Sequence, residues 1–273
     1  MLHDLRSPLS GFIMERMASG HYVFTADEAL SALDISRGAF LDAAERLQRR
    51  KALLKPRHGF YVVVPPQFAK AGAPPPSWYL DALMAHERAE YYVGLRTAAK
   101  LHGAPPDGVE MVQVVTSKRV PLLRVGRTWV NFVYRKELAG VTEGMERREM
   151  DAGSMLVSSP ALTALDLVRY PQTSTNIDYV ANVLFALGPR IDTEQMARLS
   201  GAFERAVVQR LGYLLDWLEG GVETEAMRRA LLARGPLAWT ELNRSEARDP
   251  DTARIEMSRR WQVVVRRLPD VDP

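Results

Sequence analysis

No cysteine occurs among the 273 residues, which excludes disulfides, thiolate zinc sites and cysteine nucleophiles. Long apolar runs are missing too. The longest, around Tyr179–Leu187, is interrupted by Asn182 and is too short to span a bilayer. The stretch MLHDLRSPLSGFIMERM carries charges throughout and does not read as a signal peptide, so a cytoplasmic protein without a membrane partner is expected. Charge of either sign is not in great excess. The 36 Lys and Arg against 33 Asp and Glu leave a net +3, so the placement of charge says more about a polyanion partner than its sum does.

The usual signatures of catalysis are equally scarce. There is no phosphate-binding G-x-x-x-x-G-K loop and no serine in a G-x-S-x-G elbow. HERAE at His86–Glu90 resembles half of a zinc-protease helix, but Glu90 stands where the second histidine belongs, no third ligand is evident, and His102 falls in an apparent loop. GAPPDG at Gly103–Gly108 is turn chemistry. No catalytic residue, metal or cofactor is therefore expected, and the protein is expected not to be an enzyme. Asp166, in the middle of a helical stretch, reads as a buried polar anchor or as part of a partner surface.

What is present is a pattern of helices, turns and basic runs. Pro8–Ala18 has Leu9, Phe12, Ile13 and Met17 at helical spacing, with Gly20 as a stop. Thr25 and Glu28 form a capping-box pattern before a short helix, Asp34–Ile35 makes a turn, and Ser36 caps a third helix reaching about Lys51. LLKP and FYVVVP, separated by Arg57-His58-Gly59, read as a hairpin. Three helices with a tight second connection and then a hairpin is the order of a winged helix-turn-helix, assigned to residues 1–66. Five prolines between Pro65 and Pro76 predict a stiff, extended linker over 67–78.

Residues 79–273 then read as a larger α+β domain. Helices are predicted over Trp78–His86 and Ala89–Leu101, and strands over Val109–Val115, Thr128–Tyr134 and Met155–Val157. A helix begins at Ser159-Pro160, and others follow over Ile177–Leu187, Thr193–Leu199 and Phe203–Leu218. RWQVVVRRL reads as a last strand.

Between Arg46 and Arg57 lie six basic residues and no acid. At 100° per residue from Phe40, the apolar side chains of the third helix fall within roughly 60° of one direction. Gly38, Asp42, Glu45, Arg46 and Arg49 face the other way, and a winged helix turns that face into the major groove. The candidate DNA-binding residues are Ser36, Arg37, Gly38, Arg46 and Arg49 on the helix, with Lys55, Arg57 and His58 on the wing. Arg50 and Lys51 lie nearer the buried flank, while Asp42 and Glu45 would repel phosphates unless paired. A second basic band carries Lys118, Arg119, Arg124, Arg127, Arg135 and Lys136, interleaved with Trp129, Phe132 and Tyr134. It reads either as an extension of a nucleic-acid surface or as a half-buried hairpin with basic edges.

The hairpin RHGFYVVVP, the segment YYVGLRTAAKLHGA, the helix start SSPALTALDLVRY and QRLGYLLD, in that order, resemble the AbiEi-type antitoxins of the AbiE abortive-infection systems, classed as type IV toxin–antitoxin modules. The resemblance implies a transcriptional autorepressor whose N-terminal domain binds inverted repeats in its own operator DNA. It also implies a C-terminal domain that counters a neighbouring nucleotidyltransferase toxin without a stable complex. Ala161 stands where that family often has Glu, so no role of that Glu is carried over. A winged-helix regulator that responds to a small effector is the alternative.

Overall fold

The computed structural model describes residues 7–105, 111–173, 176–243 and 255–271. The chain forms two compact units, one of residues 1–91, 110–136 and 147–156, the other of residues 92–109, 137–146 and 157–273. The protein is of the α+β class, with helices and sheets in both units.

The first unit begins with α1 (Pro8–Ala18), β1 (Val23–Thr25), α2 (Ala26–Leu33), α3 (Arg37–Arg49), β2 (Leu53–Arg57) and β3 (Phe60–Val63). Local chemistry sets the helix starts. Ser7 caps α1, with Pro8 in the first turn. Thr25 and Glu28 complete a capping box: the Glu28 amide donates to Thr25 Oγ1 at 3.2 Å, and the Thr25 amide donates to Glu28 Oε2 at 2.6 Å. Asp34 takes a left-handed conformation (φ 48°) to end α2, and Ser36 Oγ accepts the Ala39 amide to start α3.

The strands form a sheet in the order β1-β3-β2, so a short β1 joins the expected hairpin. At three residues it is too short to show alternation in the sequence. Its Phe24 stacks on Tyr61, which also meets the edge of Phe40, both at 5.4 Å between centroids. With Leu9, Ile13, Ala29, Ala44, Leu53 and Val63 these rings make the core of this part. Arg57 pairs with Phe60, leaving His58–Gly59 as a two-residue turn in which Gly59 has φ +74°.

The proline-rich stretch at 67–78 lies inside this first unit, and it is not extended. It contains 3₁₀ turns at Pro66–Phe68 and Pro76–Trp78. Trp78 lies against Tyr22 at 4.1 Å and meets Phe68 edge-on at 5.0 Å. Proline fixes φ near −65°, a value that suits the first position of a helical turn as well as an extended chain.

After α4 (Leu80–His86), the expected helix over Ala89–Leu101 is instead strand β4 (Tyr91–Val93) followed by α5 (Leu95–Leu101). Tyr-Tyr-Val is β-prone, and Gly94 separates it from the helix. The first unit also holds β5 (Met111–Thr116), β6 (Leu123–Val125) and β7 (Thr128–Tyr134). β5 and β7 run parallel from Met111↔Trp129 to Thr116↔Tyr134, and β6 folds back on β7 as an antiparallel hairpin. The predicted strand positions Val109 and Glu110 lie outside the described residues. β8 (Met145–Met150) and β9 (Gly153–Ser158) follow, and β9 pairs in parallel with β4 at Val157↔Val93.

The second unit is mostly helical. Its helices are α5, α6 (Pro160–Arg169), α7 (Ile177–Leu187), α8 (Thr193–Ser200), α9 (Arg205–Trp217) and α10 (Glu225–Leu232). Every residue of α6 from Ala161 to Val168 is buried, as expected of a helix covered on all sides, here by α5, α7, α8 and α9. A small sheet of β10 (Thr240–Glu241), β11 (Glu256–Ser258) and β12 (Val263–Val265), in the order β10-β12-β11, completes it.

Candidate nucleic-acid interface

The outer face of α3 is exposed along Arg37, Gly38, Asp42, Glu45, Arg46 and Arg49, as the helical rotation from buried Phe40 requires. Ser36 is exposed, and its hydroxyl caps the helix. Arg49 donates to Glu45 at 2.6 Å, one turn earlier on the helix. That pair is largely solvated and contributes little stability, about 0–1 kcal/mol, but it neutralises one of the two acids on this face. Neither Arg37 nor Arg46 is in an ion pair among the described residues. On the wing, Lys55 and His58 are exposed.

Arg57 behaves differently from the rest of the wing. Its Nε donates to Glu87 Oε1 at 2.8 Å and its Nη2 to the Pro121 carbonyl at 3.1 Å, with the side chain only 20% exposed. Lys118 Nζ donates to the other Glu87 oxygen at 3.1 Å and to the Glu87 carbonyl at 2.9 Å. Burial alone would raise the Glu87 carboxyl, but the hydrogen bonds and charges of Lys118 and Arg57 hold it below the usual carboxylate range.

The HERAE stretch thus has a structural use. His86 Nε2 hydrogen-bonds the His58 carbonyl at the wing turn, Glu87 gathers the two cations, and the Glu90 carbonyl accepts Thr116 Oγ1 at 2.8 Å. Among the described residues no group of His, Cys, Asp and Glu is arranged to hold a metal ion.

The second basic band divides as well. Lys118, Arg119, Arg124, Arg127 and Lys136 are exposed. Arg119 lies over the Tyr134 ring at 4.4 Å and Arg124 over the Trp129 ring at 5.5 Å, and both rings are partly exposed. Arg135 departs from the expectation: it is only 4% exposed and belongs to no surface. Tyr134 ends β7 facing out, and the next residue along the chain turns the other way.

In the second unit the SSPALTALDLVRY stretch is a packed helix start. Ser159 caps α6 and donates from its hydroxyl to Gln195 Oε1 at 2.7 Å. Ala161 is fully buried. Asp166 is the buried anchor: with no exposure, it accepts the Tyr92 hydroxyl at 2.6 Å.

QRLGYLLD is a platform for the residues that follow it. Gln209 Nε2 donates to the carbonyls of Ala238 and Trp261, both at 2.8 Å, and Asp216 Oδ2 accepts the Trp261 indole N–H at 2.6 Å. A Cβ on Gly212 would overlap the six-membered ring of Trp261, so the helix needs glycine at this close approach.

Two further residues bear on this surface, one on α3 and one just beyond α4. Leu41 is 44% exposed on α3, and its position is readable from the same rotation that exposes Arg46. Glu87 has no such signal, because its partners lie 30 or more residues away in sequence.

Residues 92–217 match the family model described as the AbiEi antitoxin C-terminal domain. The crystal structure of the RV2827C protein from Mycobacterium tuberculosis is similar in fold. The TM-score is 0.68, the match covers 94% of this chain and 91% of that one, and 18% of residues are identical. No curated protein matches. Among the described residues no helix is long and apolar enough to cross a membrane.

Proposed function

Residues 92–217 of this chain belong to the AbiEi antitoxin C-terminal domain family, and from that premise we propose that the protein is the antitoxin and autorepressor of a type IV toxin–antitoxin module. Its winged helix binds operator DNA containing inverted repeats. Its C-terminal domain counters a nucleotidyltransferase toxin without forming a stable complex with it, and the protein itself catalyses no reaction. The site of action is the cytoplasm.

The observation that carries the DNA half is the pair Arg37 and Arg46, exposed on α3 outside any ion pair among the described residues, beside Lys55 and His58 on the wing. Cations in this placement suit a duplex whose phosphates are met by the wing and whose base edges are met by the helix. Ser36 and Arg49 add donors along the same face. Arg119, Arg124, Arg127 and Lys136 would extend phosphate contact, whereas Arg57 and Lys118 are engaged with Glu87 and serve by fixing the wing.

The experiment has two arms. Fluorescence anisotropy compares a duplex from the promoter upstream of the coding sequence with an unrelated duplex, using the wild type and a variant with Arg37, Arg46, Lys55 and His58 all changed to Ala. Selective binding lost in the variant supports the DNA reading, and unchanged binding refutes it. Co-expression with the adjacent gene then tests the antitoxin half: growth rescued by this protein, without co-purification of the two products, is the expected result.

A further inference from the structure

Gly38 and Leu41 are exposed on α3 and lie outside the core built on Phe40. Gly38 has no backbone need for glycine, since its φ is not positive, and a Cβ there would meet nothing nearer than Ser36 Oγ at 4.0 Å. Glycine inside a helix lowers stability relative to alanine, so this position forgoes stability that its surroundings would allow. Leu41, one turn on, is apolar and 44% exposed. At 100° per residue the two directions lie roughly 60° apart, which makes them neighbours on one surface. Arg37 precedes Leu41 by four residues, Glu45 follows it by four with its carboxylate held by Arg49 at 2.6 Å, and Arg46 lies on the far side of Gly38. The result is a small apolar step, bare of side chain at Gly38, with Arg37 one turn before Leu41 and the acids Asp42 and Glu45 one turn on from Gly38 and Leu41, in the N-terminal half of the helix.

In helix-turn-helix docking those early positions meet base edges. The major groove presents one apolar group, the 5-methyl of thymine. We propose that Gly38 and Leu41 form the base-reading step of this protein and receive a thymine 5-methyl group, with Gly38 admitting the base edge and Leu41 covering the methyl. This rests on the DNA-binding reading and adds which chemical feature is read. The step shares the exposed face of α3 with Arg37 and, beyond Gly38, Arg46, and Glu45 beside it is neutralised by Arg49, so its continuity with the proposed DNA-binding cations argues for duplex DNA as the occupant.

The test uses the full chain and its promoter duplex, prepared either with thymine or with uracil in place of every thymine, so that the two duplexes differ only in methyl groups. The wild type is expected to bind the uracil duplex about fourfold more weakly, the value of one buried methyl group, or more if two copies bind. Leu41→Ala should bind the thymine duplex more weakly and lose the discrimination, whereas Lys55→Ala should keep it. Gly38→Ala separates binding from folding: its melting temperature should stay level or rise while affinity for the thymine duplex falls.

Equal discrimination in the wild type and Leu41→Ala, or none in the wild type, overturns this inference and leaves DNA binding standing. A wild type that binds neither duplex overturns the DNA reading and this inference with it. If size-exclusion chromatography shows Leu41→Ala dissociating an oligomer while its discrimination is unchanged, the leucine is a self-association contact and the inference fails.

Discussion

Arg57 on the wing and Glu87 just beyond α4 face one another at 2.8 Å, and Lys118 closes on the same carboxylate at 3.1 Å. With its side chain only 16% exposed, Glu87 is a hub that ties the wing to Lys118 elsewhere in the first unit. Glu87→Gln is expected to lower stability by about 1.5–3 kcal/mol, the range for hydrogen bonds to a charged group, as read by urea unfolding at neutral pH. The pH dependence has a definite sign. Glu87 holds its proton less readily in the folded state than in the unfolded one. Its contribution is therefore complete above about pH 4.5 and is lost as pH falls through the lowered folded value. The gap between wild type and Glu87→Gln should close in acid, and a gap that stays constant from pH 7 to pH 3 would contradict the hub. Freed Arg57 and Lys118 should also strengthen binding to unrelated DNA and steepen its salt dependence.

Arg46 and Lys55 are expected to fail differently when removed. Arg46 sits on the exposed face of α3, where a guanidinium can reach a guanine edge, so Arg46→Ala should weaken promoter binding by about 1–3 kcal/mol and weaken unrelated DNA less. Lys55 is on the wing, so Lys55→Ala should weaken all duplexes alike and reduce the salt slope by about one unit. Salt titrations on both duplexes distinguish the two patterns. Identical behaviour of the two variants would remove the assignment of base contact to the helix and phosphate contact to the wing.

The readable parts of this protein are those with local causes. α1 and α7 fall on Pro8–Ala18 and Ile177–Leu187, where caps and apolar stripes lie within a few residues of one another. The outward direction of Arg46 follows from rotation about Phe40. β1 and β6 have three residues each and offer no alternation, while β8 reads MERREM, a polar run that does not look like a strand. The fates of Arg57 and Arg135 were equally hidden: Glu87 is 30 residues from Arg57, and the burial of Arg135 depends on how β7 ends. The exposure of Leu41 follows from the same rotation, but an apolar side chain adds nothing to the pattern of charge.

Tyr92 and Asp166 form a buried hydroxyl–carboxylate bond at 2.6 Å in the second unit, between residues 74 positions apart in sequence. A buried carboxylate deprived of a donor keeps its desolvation cost. Tyr92→Phe, which removes only the hydroxyl, is therefore expected to lower stability by about 1–3 kcal/mol. Asp166→Asn should cost a similar amount, and the double variant should cost less than the sum. Denaturant unfolding of the three variants checks this, and strict additivity would show that the bond carries no coupling.

Gly212 lies where α9 passes the indole of Trp261, a side chain 1% exposed and fixed by its N–H bond to Asp216. In an exposed helix, Gly→Ala stabilises, because alanine loses less backbone freedom on folding. Here the added methyl overlaps the six-membered ring of Trp261. The ring cannot yield without disturbing the Asp216 bond or the Gln209 contact to the Trp261 carbonyl. Overpacking should outweigh propensity, so Gly212→Ala is expected to destabilise by about 1–3 kcal/mol and to shift the tryptophan emission of the native state. Trp261→Phe shrinks the ring at the point of overlap, so adding it to Gly212→Ala should cost less than it costs in the wild type. A Gly212→Ala variant as stable as the wild type would mean that Trp261 can be held elsewhere. In that case the glycine of QRLGYLLD would need another explanation than close approach.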